Sequence, residues 1–247
     1  MTVHYLPGVQ RSAPTAVIVV AAGSGERLGE SVPKAFVELD DRTILQHAVS
    51  RIARLPAANL IVVVVPGRLV VRARMDVMFG RPRVQVTAGG AQRSDSVRAG
   101  IEHIMAAAPE TEVILVHDAA RPLTPTAVFN RVIDAVTSGH RAVVPGIPVV
   151  DTLKEVVVEG ERVSVRGTID REMLRAIQTP QGFSVDALTR AYADPTELAT
   201  DDAGLAERCG IPVHVVEGDA LAFKITTPWD LRIARGVVAE SGPEELP

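Results

Sequence analysis

The sequence predicts an α/β fold: a doubly wound, mainly parallel sheet with helices on both faces and a projecting β-hairpin arm. Three observations carry this expectation. Short apolar runs rich in β-branched residues recur along the chain, and most intervals between them have helical spacing. One segment, residues 148–170, instead alternates with period two and contains no helical stretch. Strands alternating with helices imply crossover connections, and strands apolar throughout imply a sheet covered on both sides. In such sheets ligands bind beyond the C-terminal ends of the strands.

The strand candidates are "AVIVVAA" (16–22), "LIVVVV" (60–65), "VQV" (84–86), "VILVH" (113–117), "AVVPGI" (142–147) and "VHVV" (213–216). Between the first two, "TILQHAVSRIARL" places Ile44, Leu45, Ala48, Ile52 and Leu55 on one face, with Thr43 as N-cap. "SDSVRAGIEHIMAAA" repeats the pattern with Val97, Ile101, Ile104 and Met105, and "PTAVFNRVIDAV" repeats it again. Residues 148–170 read as a hairpin turning at Glu159-Gly160-Glu161. A lone two-stranded hairpin is marginal in water, so it pairs with a partner subunit or folds back on its own domain. Residues 1–15 and 241–247 read as loose tails, which leaves a single domain over 16–240.

Composition excludes several classes. Aromatics are only 3% of the 247 residues and the formal net charge is −4, so stacking platforms and basic nucleic-acid tracks are not expected. The single cysteine, Cys209, can make neither an internal disulfide nor a cysteine-based zinc site, and it suits a reducing cytoplasm. No apolar run approaches the length of a membrane span.

Chemistry concentrates where strands end. After the first strand comes "AAGSGERLGESVPKAF" (21–36). A dinucleotide fingerprint would need its third glycine at residue 28, which is Leu, and the P-loop pattern fails because Gly29 is followed by Glu30 and Ser31. What remains still suits a polyphosphate. Gly23 and Gly25 let backbone N–H groups approach phosphate oxygens, Arg27 can fork two of them, and Lys34 adds a mobile charge. The competing reading is a strand-to-helix turn with two surface cations. "GGAQRSDSV" (89–97) offers a second glycine pair before a helix, whose backbone could read a base edge with help from Ser96. "VHDAARP" (116–122) sets Asp118 at the end of an apolar strand, a place that demands solvent, a hydrogen bond or a cation. His117 reads as a satisfied strand-end residue rather than a ligand. In "AFKITTPWDL" (222–231), Thr227-Pro228 starts a helix, and Lys224 either faces the cleft or snorkels to solvent.

Taken together, "AAGSGERLG…PKAF", "GG…R.DSV", "VHDAARP", "DT.K", "QTPQGF", "TDDA" and "FKITTPWDL" resemble, in order and spacing, the 2-C-methyl-D-erythritol 4-phosphate cytidylyltransferases of the non-mevalonate isoprenoid pathway. The resemblance runs from about residue 16 to residue 236 and shows no continuation into a second catalytic domain. It implies a Rossmann-like nucleotidyltransferase fold that takes CTP and Mg²⁺ and joins CMP to methylerythritol phosphate with release of pyrophosphate. It implies that Arg27 and Lys34 stabilise the transition state, and that Ala21, Ala22, Gly23, Gly25, Gly90, Ser96 and Ala119 contact the nucleotide. By the same resemblance, Asp118 matches the acid near the sugar hydroxyls and the metal, and Arg171 and Lys224 match the pair that positions the acceptor phosphate, beside Thr152 and Thr179. In the family Thr152 and Arg171 lie on or near the arm, which crosses to the other subunit of a homodimer.

The sequence departs from the family at Ala91, where some relatives carry Asp, at Gln92, and at Ala222-Phe223 before the lysine. The attacking phosphate oxygen is already ionised at neutral pH, so no general base is required, and no Ser–His–Asp or Cys–His signature is present. Competing expectations are a ribitol phosphate cytidylyltransferase of the same fold and a nucleotide-sensing module without turnover. Leu28 disfavours a dinucleotide dehydrogenase.

Overall fold

A computed structural model of the chain describes residues 13–23, 28, 30, 32–194 and 199–240. Nearly all of both expected tails, residues 1–12 and 241–247, lies outside the described residues. All six predicted strands form: β1 (Thr15–Val20), β2 (Ala58–Pro66), β3 (Val84–Gly89), β4 (Val113–Asp118), β5 (Ala142–Pro148) and, near the C-terminus, β10 (Val213–Glu217). Two short strands, β8 (Arg175–Ile177) and β9 (Gln181–Ser184), were not expected from the sequence.

The sheet runs β10-β5-β9-β4-β1-β2-β3, with β8 added on β5. β1 pairs in parallel with both β2 and β4, β2 with β3, and β10 with β5. β9 lies antiparallel between β4 and β5, and β8 is antiparallel to β5. The six predicted strands therefore all point one way. The chain leaves β1 toward β2 and β3, then returns to place β4 on β1's other side, so the connections reverse between β1 and β4. That reversal opens a crevice at the strand ends.

Helices α1 (Ile44–Ile52), α2 (Val70–Val77) and α4 (Thr126–Thr137) cover one face, packing Leu45, Val49, Val77, Phe129 and Val132 on Val17, Val19, Ile61 and Leu115. On the other face α3 (Arg93–Ala107), α5 (Val185–Ala191) and α6 (Asp202–Arg208) meet Ile18, Val62, Ile114 and Val116. Thr43 caps α1 as expected: its Oγ1 accepts from the Gln46 N–H at 3.2 Å and its own N–H donates to Gln46 Oε1 at 2.7 Å. Two predicted positions need correction. Leu55 is buried but lies beyond the end of α1. Met105 is 39% exposed, because the sheet-facing stripe of α3 runs through Val97, Ile101 and Ile104 and residue 105 sits a further 100° around the helix.

The C-terminal helix α7 (Pro228–Glu240) begins at Pro228 as predicted; Thr227 Oγ1 accepts from the Asp230 N–H at 3.2 Å while Asp230 Oδ2 accepts from the Thr227 N–H at 2.7 Å. Leu231, Ala234 and Val238 of α7 bury Leu28, Val37 and Leu39 in a third apolar cluster. Val32, just ahead of Lys34, packs against the same cluster. The predicted hairpin is β6 (Leu153–Glu159) and β7 (Arg162–Ile169), turning at Gly160 with φ of 60°, a conformation that favours glycine. It forms a two-stranded sheet of its own, and Val158, Val163 and Val165 on it stay more than 60% exposed. No helix among the described residues is long and apolar enough to cross a membrane.

Candidate active site

The crevice between β1 and β4 holds a cavity of about 320 Å³, lined by Val20 to Gly23, Lys34, Ala35, Ala91 to Arg93, Asp118 to Ala120 and Lys224. Its floor is backbone. Val20 and Asp118 are direct neighbours in the parallel register, and the Ala119 N–H donates to the Val20 carbonyl at 3.0 Å. The Ala21 N–H donates to the Val64 carbonyl at 2.8 Å, so the chain leaves β1 still held to β2. Gly25 and Arg27, both expected in the cradle, lie outside the described residues.

Three cations reach this floor. Lys34 opens a single 3-10 turn whose next residues, Ala35 and Phe36, are buried. Its ammonium donates to the Ile225 carbonyl at 3.0 Å, one residue from Lys224. Lys224 points into the cleft rather than to bulk solvent: Nζ lies 2.6 Å from Asp118 Oδ2. The segment carrying it is tied down by the Ile225 N–H on the Ala120 carbonyl at 2.9 Å and by Arg121 Nη1 on the Ala222 carbonyl at 2.6 Å. The third cation is Arg93, whose Nε and Nη2 lie 3.4 Å from Asp118 Oδ1.

Asp118 is thus an anion ringed by cations. Burial alone would raise its pKa, but Arg93 and then Lys224 outweigh that and hold the carboxyl well below the ordinary range. Arg93 shows the converse balance: burial disfavours its charge, and Asp202, then Asp118, more than restore it.

Beneath this layer, Thr179 and His117 complete a buried polar row. Thr179 Oγ1 accepts from the Asp118 N–H at 3.1 Å and lies 3.1 Å from His117 Nδ1. His117 Nε2 is 3.3 Å from the Arg121 carbonyl, which can only accept. The proton therefore sits on Nε2, and Nδ1 accepts from the Thr179 hydroxyl. Burial pushes His117 down to about 4 against the opposing charge of Asp118, so it is neutral at pH 7. It is a satisfied strand-end residue, as the sequence suggested.

The second glycine pair serves α3. A Cβ on Gly89 would stand 2.4 Å from Ser96 Oγ, and one on Gly90 2.3 Å from Asp95 Cβ. The loop thus lies directly on the helix start. Ser96 is fully buried and donates to the Gln92 carbonyl at 3.2 Å; neither it nor Gly90 lines the cavity. Thr179 is likewise behind the wall. Thr152 and Arg171 sit exposed at the base of the arm, where Arg171 donates to the Val150 carbonyl, and neither lines the cavity of its own chain. The structure therefore brings Ala21, Ala22, Gly23, Lys34, Asp118, Ala119 and Lys224 together. It adds Arg93, which belongs to the "GGAQRSDSV" motif but has no role evident from sequence.

Asp118 is the one acid among the described residues lining the cavity, and those residues contain no group of three or more metal ligands. This donor set suits a cation that arrives on phosphate oxygens and water, with at most one protein carboxylate. A cavity of this size at a switch point, with a backbone floor and cationic walls, is that of an α/β protein suited to a phosphorylated nucleotide.

Comparisons with known proteins are specific. The model of the IspD family, 2-C-methyl-D-erythritol 4-phosphate cytidylyltransferase, matches residues 15–240. Proteins of that name from Nocardia farcinica and Rhodococcus jostii are 51% and 48% identical, covering 88% and 92% of this chain and 90% and 96% of theirs. The crystal structure of the Thermus thermophilus protein of that name is 34% identical, with a TM-score of 0.70 over 90% of this chain and 97% of its own. A crystal structure of a 4-diphosphocytidyl-2C-methyl-D-erythritol synthase is 31% identical, with a TM-score of 0.76 over 93% and 100%. The chain belongs to the 2-C-methyl-D-erythritol 4-phosphate cytidylyltransferase family, nucleotidyltransferases of isoprenoid precursor synthesis.

Proposed function

We propose that the cavity between β1 and β4 is where this chain transfers CMP from CTP to 2-C-methyl-D-erythritol 4-phosphate, giving 4-diphosphocytidyl-2-C-methyl-D-erythritol and pyrophosphate. The observation that carries the reading is the convergence of Lys34, Arg93 and Lys224 with Asp118 over a backbone floor. CTP and a phosphomonoester are both anions and repel each other. A site that joins them must neutralise both and hold the attacking oxygen in line with the α-phosphorus.

In this mechanism the acceptor phosphate attacks and pyrophosphate leaves, so no proton need be removed from the nucleophile. Lys34, with Arg27 from the glycine loop, stabilises charge on the α-phosphate and leaving group. The backbone of Ala21, Ala22, Gly23, Gly25 and Ala119 holds the nucleotide, with Gly90 and Ser96 shaping the base side from behind. Asp118 orients sugar hydroxyls and Lys224. Arg171 and Thr152, reaching over from the arm of a second subunit, complete the acceptor subsite with Lys224; Thr179 supports Asp118 from below. The exposed valines of the arm support a homodimer, since an isolated hairpin is marginal alone. Mg²⁺ would be held by the phosphates, with Asp118 as the available protein carboxylate, and supplies charge neutralisation. Cys209 as a free thiol suits a reducing cytoplasm.

The test is pyrophosphate release from each nucleoside triphosphate with methylerythritol phosphate, ribitol phosphate or glycerol phosphate as acceptor, with and without Mg²⁺. CTP with methylerythritol phosphate should exceed every other pair by at least about 10²-fold in kcat/KM. Equal turnover with ribitol phosphate would overturn the assignment.

A further inference from the structure

The motif "TDDA", residues 200–203, takes no part in the cavity wall, yet it contains the most deeply buried acid of the described chain. Asp201 serves its own surroundings. It accepts from the Gly204 N–H at 2.9 Å, capping α6, and from Gln181 Nε2 at 2.8 Å. Asp202 is different. It is 0% exposed, and its Oδ1 and Oδ2 accept from Arg93 Nη1 and Nη2 at 2.8 and 2.7 Å. The Tyr192 hydroxyl, also buried, donates to Oδ1.

Burying a carboxylate at this depth is costly, and a buried ion pair rarely repays that cost in stability over an apolar pair of similar size. What such a pair does provide is a fixed orientation. The planar guanidinium of Arg93 turns its two terminal nitrogens on Asp202, and Nε with Nη2 on Asp118 at 3.4 Å. A lysine could not face both acids with fixed geometry. The second oxygen of Asp118 takes Lys224 at 2.6 Å. Tyr192, Asp202, Arg93, Asp118 and Lys224 therefore form one continuous row from behind the wall to the cavity.

We infer that Asp202 is a positioning residue of the nucleotide pocket: held by Tyr192, it locks the Arg93 guanidinium in one orientation and, through it, sets Asp118 and Lys224 before substrates bind. The inference rests on the reading of this cavity as the CTP site. Without Asp202, Arg93 becomes a mobile cation that competes with Lys224 for Asp118, and the wall beside Ala91 and Gln92 loosens. Misplacing a group by about 1 Å in such a site can cost roughly 10²-fold in rate.

The experiment compares Asp202→Asn, Arg93→Lys and the double variant with the unaltered full chain, using CTP with Mg²⁺ in calorimetry and steady-state pyrophosphate release. Asp202→Asn should weaken CTP binding by about 10-fold, as loss of one charge-assisted contact does. It should lower kcat/KM further and leave the melting temperature within a few degrees. Arg93→Lys should do the same, and the double variant should be less than about 3-fold worse than either, because both break one unit. A purely structural Asp202 would instead lower kcat in proportion to lost folded protein, with the CTP Kd and both KM values unchanged; that result, or additive losses, overturns the inference. If Asp202→Asn does not fold, Tyr192→Phe decides, since it keeps the charge and the Arg93 fork: CTP binding weakened several-fold supports the inference, and unchanged binding overturns it. An unaltered chain that binds no CTP would bring down the reading of the cavity itself, and this inference with it.

Discussion

Asp118→Asn separates what the pocket acid does for the fold from what it does for the reaction. Asn keeps the volume, the backbone N–H to Thr179 Oγ1 at 3.1 Å, and one acceptor for Arg93. It sets an amide where the carboxylate met the Lys224 ammonium at 2.6 Å. Stripping one partner from a buried ion pair costs about 3–5 kcal/mol when the stranded charge stays buried. Here it does not. The Lys224 side chain is 41% exposed and can turn to water, and Arg93 retains Asp202 at 2.7 Å. The expected loss of stability is therefore about 1 kcal/mol, or roughly 2–4 °C in melting temperature for a domain of this size. Catalysis should suffer far more. A misdirected Lys224 and unheld sugar hydroxyls should lower kcat by about 10²-fold, the loss seen when one preorganised donor is removed. CTP binding should weaken by about 10-fold, because Arg93 and Lys224 lose the carboxylate that fixes them. Differential scanning fluorimetry, calorimetry with CTP and pyrophosphate release measure the three quantities. A variant that melts about 10 °C lower, or one that keeps kcat within about 3-fold, would refute the reasoning.

Arg171→Ala should raise KM for the acceptor phosphate by about 10–100-fold, the range for a lost charge-assisted contact, and leave the CTP Kd unchanged. Steady-state kinetics in each substrate checks this, and equal effects on both would contradict its role in the acceptor subsite. For His117 the linkage sign is fixed by a folded pKa of about 4 against an unfolded value of about 6.5. The folded state then binds fewer protons in that window, so stability is lost as pH falls through it, by about 2 kcal/mol at pH 5. Urea unfolding at pH 7.5 and pH 5 should show that loss, and His117→Asn should lack it; a parallel decline in both proteins counts against a buried neutral ring. Gly89→Ala places a methyl 2.4 Å from Ser96 Oγ and 2.9 Å from Val64 Cγ1, both buried, and should cost about 1–3 kcal/mol. Ser96→Ala in the same chain should recover part of it, as read by melting temperature.

The strand–helix rhythm was legible because period and branching act locally: Val17 and Ile114 are apolar for the sheet, and Thr43 starts a helix by its own hydroxyl. β9 was not legible. It is four residues long, and what makes it a strand is the gap between β4 and β5, a tertiary fact with no local signature. Met105 misled because adjacent apolar residues, Ile104 and Met105, cannot both face the sheet, and composition does not say which will. In the cavity, Asp118 was visible as a charge at a strand end, where a polar group needs a reason, and Lys34 as the cation of a glycine loop, while Lys224 could equally have faced solvent. Arg93 and Asp202 stand in motifs that were visible, but their roles were not, for the opposite cause. Each reads as an ordinary polar residue in the first turn of a helix, and only the approach of α6 to α3 across 109 positions of sequence joins them.

The buried row beneath the cavity also argues for how the reaction runs. A proton-transfer mechanism needs a base whose free nitrogen or oxygen faces the reacting atoms, with a pKa near the working pH. His117 is adjacent to Asp118 in sequence and is the obvious claimant, yet it is 1% exposed, both ring nitrogens are occupied, and burial holds it at about 4. Asp118 is no better a claimant, because Arg93 and Lys224 keep its proton off at any physiological pH. Neither group can take a proton from the substrate near neutrality, so what the described residues of the cavity offer is fixed charge. A reaction that needs only fixed charge should be sensitive to ionic strength and nearly flat in pH from about 7 to 9, where an acceptor phosphate with a second pKa of about 6 is already ionised. A steep bell-shaped kcat profile in that range would require a titrating base that these residues do not supply.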